Sequence, residues 1–526
     1  MNKNEIRIEG RAAGEERGSG MGANALMRGE GAWCESTGEF TLPDYMPKIG
    51  KMLSCTPRII PSGRYIGSDR AEFSGSVLYS VLYTGEDGSP CHTTLSGDYE
   101  YTVPLGDAID SPRVEIYDEP MIENVSLRAS GPRKMSVRTR IRSTPYIMYE
   151  STREAERADL AGDDLEKLTR RIPVSCQTHI ESGEFTLSES FKLDASPESE
   201  VVGCDGAVFV TEAAPSSGIV TCRGEVECRV LYYDIEGGRR RLFCTKKKMR
   251  FEERIPYAAA GELSGLRMYG RLISTDLAAS EDSSEFSISA VVALYGDFSG
   301  TEERAFLLDA YSCEHPEEVM YETEEYRRCV LCRNANYSFH TQKNLPESLS
   351  TDTEVCTAVA SARVGEVSVS DGVVEVNGEI TVECVLCHRG EDGAEYSVMS
   401  MPIPVRCEFP AEYSAERYET GVMCETGDAR VRIDGDSLSA DAELYLALTV
   451  NGIESVNVVK STHPSDECIQ RRDGITVYYP DREETLWSVS KKFAVPVSAV
   501  ASKNAIKSTS PDSPESLDGI SSLIIA

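Results

Sequence analysis

The sequence predicts a mainly β chain: three tandem antiparallel β domains, each a sandwich or a small barrel, followed by a small β-helix-helix-β module. Three observations lead there. A strand-like segment opening on glycine occurs three times at near-equal spacing, and each copy runs into a turn rich in Asp and Gly. Near Gly474 the hydrophobic period changes from two to between three and four.

Residues 1–30 are rich in Gly, Ala, Glu and Arg without periodicity, and read as a flexible leader. The first landmark, Gly38-Glu39-Phe40-Thr41-Leu42, returns as Gly183-Glu184-Phe185-Thr186-Leu187. A weaker third echo is Asn344-Leu345-Pro346-Glu347, set against Thr41-Leu42-Pro43-Asp44. The second landmark is Gly75-Ser76-Val77-Leu78-Tyr79-Ser80-Val81-Leu82-Tyr83. It returns as Gly224-Glu225-Val226-Glu227-Cys228-Arg229-Val230-Leu231-Tyr232 and as Gly378-Glu379-Ile380-Thr381-Val382-Glu383-Cys384-Val385-Leu386-Cys387. Apolar and polar residues alternate there, the period of a half-buried strand. Glu225, Glu227 and Arg229 are expected to face water while Val226, Cys228 and Val230 face a core.

Turns follow at residues 85–88, 234–238 and 390–393, then further β-rich stretches, which is a hairpin signature. Each copy closes on another alternating stretch, at 135–141, 285–291 and 440–446. The divisions are therefore a leader at 1–30 and repeats at 31–150, 172–313 and 329–460. Between the repeats, 151–171 reads as a charged helical linker carrying Leu160, Leu165 and Leu168, and 314–328 as an acidic linker. A last linker, 461–473, precedes the module at 474–526.

In that module Ile475-Thr476-Val477-Tyr478-Tyr479 is a short strand ended by Pro480. Thr485 can cap a helix whose Leu486, Val489 and Phe493 form one stripe. Pro496 opens a second short helix with Val497 and Val500 inward, stopping near Asn504. A polar insertion at 508–516 precedes the last strand, Ser522-Leu523-Ile524-Ile525.

These residues resemble a LysM domain, through Thr485-Leu486-Trp487-Ser488-Val489-Ser490-Lys491-Lys492-Phe493, then Val495-Pro496-Val497, then Asn504. The resemblance implies a groove, for glycan or for a protein partner, at Asp481, Glu483, Glu484, Thr485, Leu486, Trp487 and Asn504. Glu483-Glu484 stands where the family has Gly-Asp, the loop after Asn504 is longer, and the closing Pro is absent. The repeats, with Gly-x-Val/Ile-x-Val-x-Val-Leu-Tyr before Glu-Asp-Gly, resemble the SPOCS domain of endospore-forming Clostridia. Tandem SPOCS domains ending in LysM is the architecture of SipL-type spore-envelope proteins. That implies a mother-cell scaffold of coat assembly at the forespore surface, recruited through its LysM end by the coat's basement-layer ATPase. The alternative is a cell-wall protein gripping peptidoglycan.

Composition narrows the classes. There are 54 Lys and Arg against 87 Asp and Glu, a formal charge of -33, so nucleic acid and anionic membrane surfaces are disfavoured. No apolar run approaches 18 residues, so no bilayer insertion is expected, and the N-terminus has no apolar core for Sec export. The 17 cysteines are expected to be reduced, mostly buried thiols of a chain made in the cytosol.

Cys329-Val330-Leu331-Cys332 and Cys384-Val385-Leu386-Cys387 have zinc half-site spacing. Residues i and i+3 on a strand point to opposite faces, however, so buried thiols are expected and neither a metal nor a cofactor. The six histidines share no position across the repeats, and no nucleophile motif occurs, so no enzyme is expected. An active site lying between repeats would be marked by a deep pocket where His, Cys and carboxylates converge. The basic stretches 133–142, 239–241 and 246–248 are either solvated strand faces or a dock for an acidic neighbour, including another copy of the chain. Trp487 is either a packing residue or an anchor at an interface.

Overall fold

The computed structural model describes residues 24–28, 32–106, 108, 114–150, 165–193, 199–236, 239–258, 261–279, 285–346, 349, 352–390, 393–411, 413–469, 474–506, 517 and 520–525. Most of them are antiparallel strand.

The first repeat contains β1 (Asn24–Arg28), β2 (Ala32–Thr41), β3 (Ile49–Ile66), β4 (Arg70–Gly85), β5 (Pro90–Pro104), β6 (Val114–Gly131) and β7 (Lys134–Glu150). The second contains β8 (Leu165–Glu181), β9 (Phe185–Lys192), β10 (Glu200–Ser216), β11 (Ile219–Glu236), β12 (Arg239–Pro256), β13 (Glu262–Ala279) and β14 (Glu285–Ser312). The third contains β15 (Glu317–Asn344), β16 (Glu354–Ser370), β17 (Val373–Gly390), β18 (Gly393–Pro410), β19 (Arg417–Asp434) and β20 (Ser437–Pro464).

One topology recurs. A three-stranded meander, β3-β4-β5, β10-β11-β12 or β16-β17-β18, has the glycine landmark on its central strand. A second sheet is built on the closing stretch: β7 between β6 and β1/β2, β14 between β13 and β8/β9, β20 between β19 and β15. The alternating apolar positions explain the pairing of sheets. Val77, Val226 and Ile380, each two residues after the landmark glycine, are wholly buried in three separate cores. Phe73 and Met135 meet in the first core, Val230 and Ile288 in the second, and Val382 and Leu446 in the third.

The landmark glycines are required by packing. A Cβ on Gly224 would lie 2.1 Å from the Phe209 carbonyl oxygen, and one on Gly378 would lie 2.4 Å from that of Arg363.

Four divisions are corrected, one of them the linker 461–473, whose residues 461–464 are the end of β20. Residues 24–28, placed in the leader, form β1 against β7; the rest of that leader lies outside the described residues. Leu165, Leu168 and Arg171 of the expected helical linker lie in β8, because the long strand β14 offers an unpaired edge there. Leu160 lies outside the described residues. The acidic linker from 317 onward is the start of β15, paired with β20 out to Glu317–Pro464. In this stretch Tyr326 packs against a small buried cluster while most other positions are polar, so its acidity resembled a linker.

The first landmark also misleads. Phe40 pairs with Met135, the second residue of β7, whereas Phe185 pairs with Val292, deep in β14. Phe191, opposite Phe286, holds the position equivalent to Phe40. The weaker echo is in register. Leu42 N–H bonds the Arg133 carbonyl as Leu345 N–H bonds that of Asp436, and the turns Met46-to-Pro43 and Leu349-to-Pro346 match.

The tail consists of β21 (Val477–Tyr478), α1 (Leu486–Phe493), α2 (Val497–Lys503) and β22 (Leu523–Ile524), with β21 and β22 paired antiparallel. Thr485 and Ser488 form a reciprocal capping box at the head of α1. Leu486, Val489, Val500, Ala501, Leu517, Leu523 and Ile525 make a small closed core. The insertion at 508–516 lies outside the described residues. Among the described residues no helix is long and apolar enough to cross a membrane.

Candidate functional site

Equivalent positions of the three repeats converge on one junction. Leu82, Leu231 and Val385, each seven residues after its landmark glycine, meet in a shared apolar cluster. Leu53, Val202 and Cys356 join them, and each is the extra residue of a β-bulge. A bulge re-aims a side chain out of the ladder, which here turns three residues towards neighbouring repeats.

Beside this cluster the polar faces of the three central strands enclose a cavity of about 730 Å³. Its walls include Ser80 and His92 from the first repeat, Glu227, Arg229 and Lys246 from the second, and Thr381, Glu383 and Glu425 from the third. This corrects the expectation that Glu227 faces water: it is buried, and Arg229 and Glu225 are half-buried. The alternation was right about which side chains leave each core; assembly of the repeats then covers that second face.

The charges are mostly matched. Arg229 pairs with Asp205 at 2.8 Å, and Lys246 Nζ donates to the Ala429 carbonyl at 2.6 Å and lies 3.7 Å from Glu227. Glu425 remains solvent-accessible on the cavity wall, and the surrounding protein raises its carboxyl above the usual range. Ser80 Oγ is 3.0 Å from His92 Nε2, the Val202 carbonyl bonds the same ring, and burial lowers the imidazole below its ordinary value.

The second sheets meet at a separate buried ion cluster. Arg267, wholly buried, bonds Glu119 of the first repeat and Asp297 of its own, with Nε to Asp297 at 2.7 Å. It also reaches the Ala447 carbonyl of the third repeat at 3.5 Å. Tyr117 stacks on His179 at 3.7 Å and donates to Asp297 at 3.1 Å. Burial alone would raise the Asp297 carboxyl, but Arg267, followed by the His179 hydrogen bond, holds it well below the usual range.

The basic stretches find acidic and carbonyl partners within this chain. Arg138 pairs with Glu35, and Arg133 donates to the Pro43, Asp44 and Met46 carbonyls. Arg241 crosses to Glu354 of the third repeat at 2.6 Å.

The seven groove residues separate by duty. Thr485 caps α1, and Leu486 is core. The Glu484 carboxylate accepts from the Tyr478 hydroxyl at 2.8 Å and from Asp481 N–H at 3.0 Å. The Asn504 amide donates to the Val500 and Ile524 carbonyls, both at 2.8 Å, and accepts from Ile524 N–H at 2.7 Å. Asp481 and Glu483 are exposed. Trp487 points at the second repeat: its indole N–H donates to Asp309 at 2.9 Å, and its ring lies edge-on to Tyr311. Lys491 bonds the same carboxylate at 2.6 Å, and the Tyr311 hydroxyl donates to the Val495 carbonyl at 2.7 Å.

A feature missed from sequence is an exposed apolar stripe on and beside the module's two-stranded sheet. Ile475, Val477 and Tyr479, at alternate positions, are 80%, 49% and 72% exposed, and Ile524, across from Val477, is 42% exposed. The i, i+2, i+4 spacing was readable; that no other described residue buries it was not.

Cys384 enters the core of the third repeat while Cys387 enters the inter-repeat cluster, so this Cys-x-x-Cys does place its thiols on opposite faces. No family model, curated protein or solved structure matches the chain.

Proposed function

We propose that this protein is a non-enzymatic adaptor of spore-envelope assembly. Its three repeats form a multivalent body, and its LysM-like tail recruits it to the forespore surface through a protein partner, the coat's basement-layer ATPase. The observation that carries the reading is the uncovered stripe Ile475, Val477, Tyr479 and Ile524 on a module otherwise occupied with its own fold. Contiguous exposed apolar surface on an acidic protein marks a protein-binding face. The body supplies several contacts at fixed spacing, which raises effective concentration in a shell.

Peptidoglycan binding has less support. The Asn504 amide and the Glu484 carboxylate are engaged internally, and the Trp487 ring rests on Tyr311. A fluorescent fusion in sporulating cells is expected to ring the forespore, and deletion of 474–526 to leave it diffuse. Ile475→Glu with Tyr479→Glu should abolish the ring at unchanged protein level. Saturable capture on purified peptidoglycan that survives the double substitution would favour the glycan reading instead.

An enzymatic reading has one observation in its favour, the Ser80–His92 pair opening on the cavity between repeats. On the adaptor reading the serine is unactivated, because Asp205 is engaged by Arg229. A fluorophosphonate probe should then leave Ser80 unlabelled. Labelling that is lost in Ser80→Ala would install the hydrolase reading.

A further inference from the structure

Cys356 and Cys387 lie on neighbouring strands of the third repeat. Cys356 is the extra residue of the β16 bulge between Val355 and Thr357, and Cys387 of β17 pairs in register with Glu354. Both thiols enter the apolar cluster where the three repeats meet, and they hydrogen-bond each other. The Tyr396 hydroxyl is hydrogen-bonded to Cys387 and accepts from Leu242 N–H of the second repeat at 3.2 Å. Arg241, also from the second repeat, is held nearby by Glu354 at 2.6 Å. The site therefore contains a nucleophile, a resolving thiol and a cation, drawn from two repeats.

We propose that Cys356 and Cys387 form a modification site, a dithiol that a peroxide converts into an intrachain disulfide at the junction of the repeats. The Cys387 thiolate attacks the peroxide O–O bond, taking one oxygen as sulfenic acid while the other leaves as hydroxide and is protonated to water. Cys356 sulfur then attacks the sulfenic sulfur, its proton leaves with the hydroxyl as a second water, and the S–S bond forms. Two thiols are oxidised and one peroxide is reduced.

The surroundings favour Cys387 as the nucleophile. The hydrogen bond from Cys356, and after it the Arg241 charge, lower its thiol to about 7. Cys356, the other member of the pair, is raised above its ordinary value by that same bond and by burial, which suits it to the resolving role. At pH 7 a thiol near that value is about half ionised.

The test is mapping of disulfides by mass spectrometry in the reduced full chain, after exposure to hydrogen peroxide and quenching with N-ethylmaleimide. The expected first product is a Cys356–Cys387 linked peptide, formed ahead of any other disulfide and reversible by dithiothreitol. In Cys356→Ala, Cys387 should be trapped by dimedone as sulfenic acid. If that variant does not fold, the wild-type map decides alone. Earlier oxidation at Cys204–Cys228, a link to a second chain, or peroxide consumed elsewhere with Cys387 left free overturns the proposal.

Discussion

Arg267→Ala is expected to cost about 3–5 kcal/mol at neutral pH, more than any exposed substitution, because it leaves two buried carboxylates without their cation. Arg267 is fully buried, and its guanidinium joins Glu119 of the first repeat to Asp297 of the second. The pH dependence has a definite sign. In the native protein the Asp297 carboxyl is held low, so its contribution is complete above the unfolded value near about 4 and is lost as pH falls towards the folded one. Without Arg267 the strongest opposition to burial is gone, and the carboxyl rises against the remaining His179 hydrogen bond. The variant then gains protons on folding, and its deficit against wild type should shrink between about pH 7 and about pH 4.5. Urea midpoints at the two pH values test this. The triple change Arg267→Met, Glu119→Gln and Asp297→Asn should recover much of the loss, since an apolar or neutral replacement of a whole cluster is often tolerated. A loss below about 1 kcal/mol, or a deficit that grows on acidification, would show that the cluster does not join the repeats.

That cluster was not legible in the sequence, for a physical reason. Arg267, Glu119 and Asp297 are far apart in the chain and lie on strands whose alternation identifies a second face but not what covers it. Individual repeats were legible because Val226, Cys228 and Val230 alternate with polar residues on a strand that has one buried side. The strong Gly-Glu-Phe-Thr-Leu echo was out of register because a repeated inward Phe fits any even position of β9. Charged stretches gave the wrong sign for residues 165–171 of β8 and the start of β15, where apolar residues are too sparse to display an alternation. In the tail, Thr485 and Leu486 could be placed from spacing alone. The orientation of Trp487 could not, because it depends on Asp309 and Tyr311 of another unit.

Trp487→Ala is expected to undock the tail at a cost of about 2–4 kcal/mol while leaving the tail folded. The indole contributes apolar area against Tyr311 and one hydrogen bond to Asp309, and it is nearly buried at 8% exposed. Asp309 gathers three donors: Trp487, Lys491 and Tyr321. Burial opposes its ionisation, but these partners, Lys491 foremost, hold it below the usual carboxylate range, so docking should weaken in acid as that carboxyl is protonated. The core of Leu486, Val489, Val500 and Leu523 does not include Trp487, so hydrogen exchange within α1 and α2 should stay slow in the variant. Residues 465–469 should at the same time become open to protease. Trp487→Phe keeps most of the packing and loses only the N–H bond, so it should fall about 1 kcal/mol short of wild type. Global loss of protection across 474–526 would instead make Trp487 part of the module's own core. Recruitment provides the last discrimination. The stripe of Ile475, Val477, Tyr479 and Ile524 is exposed whether or not the indole is seated, so Trp487→Ala should still ring the forespore where Ile475→Glu with Tyr479→Glu does not. If both variants lose the ring alike, the partner reads the docked arrangement of tail and second repeat, and the stripe alone is not its target.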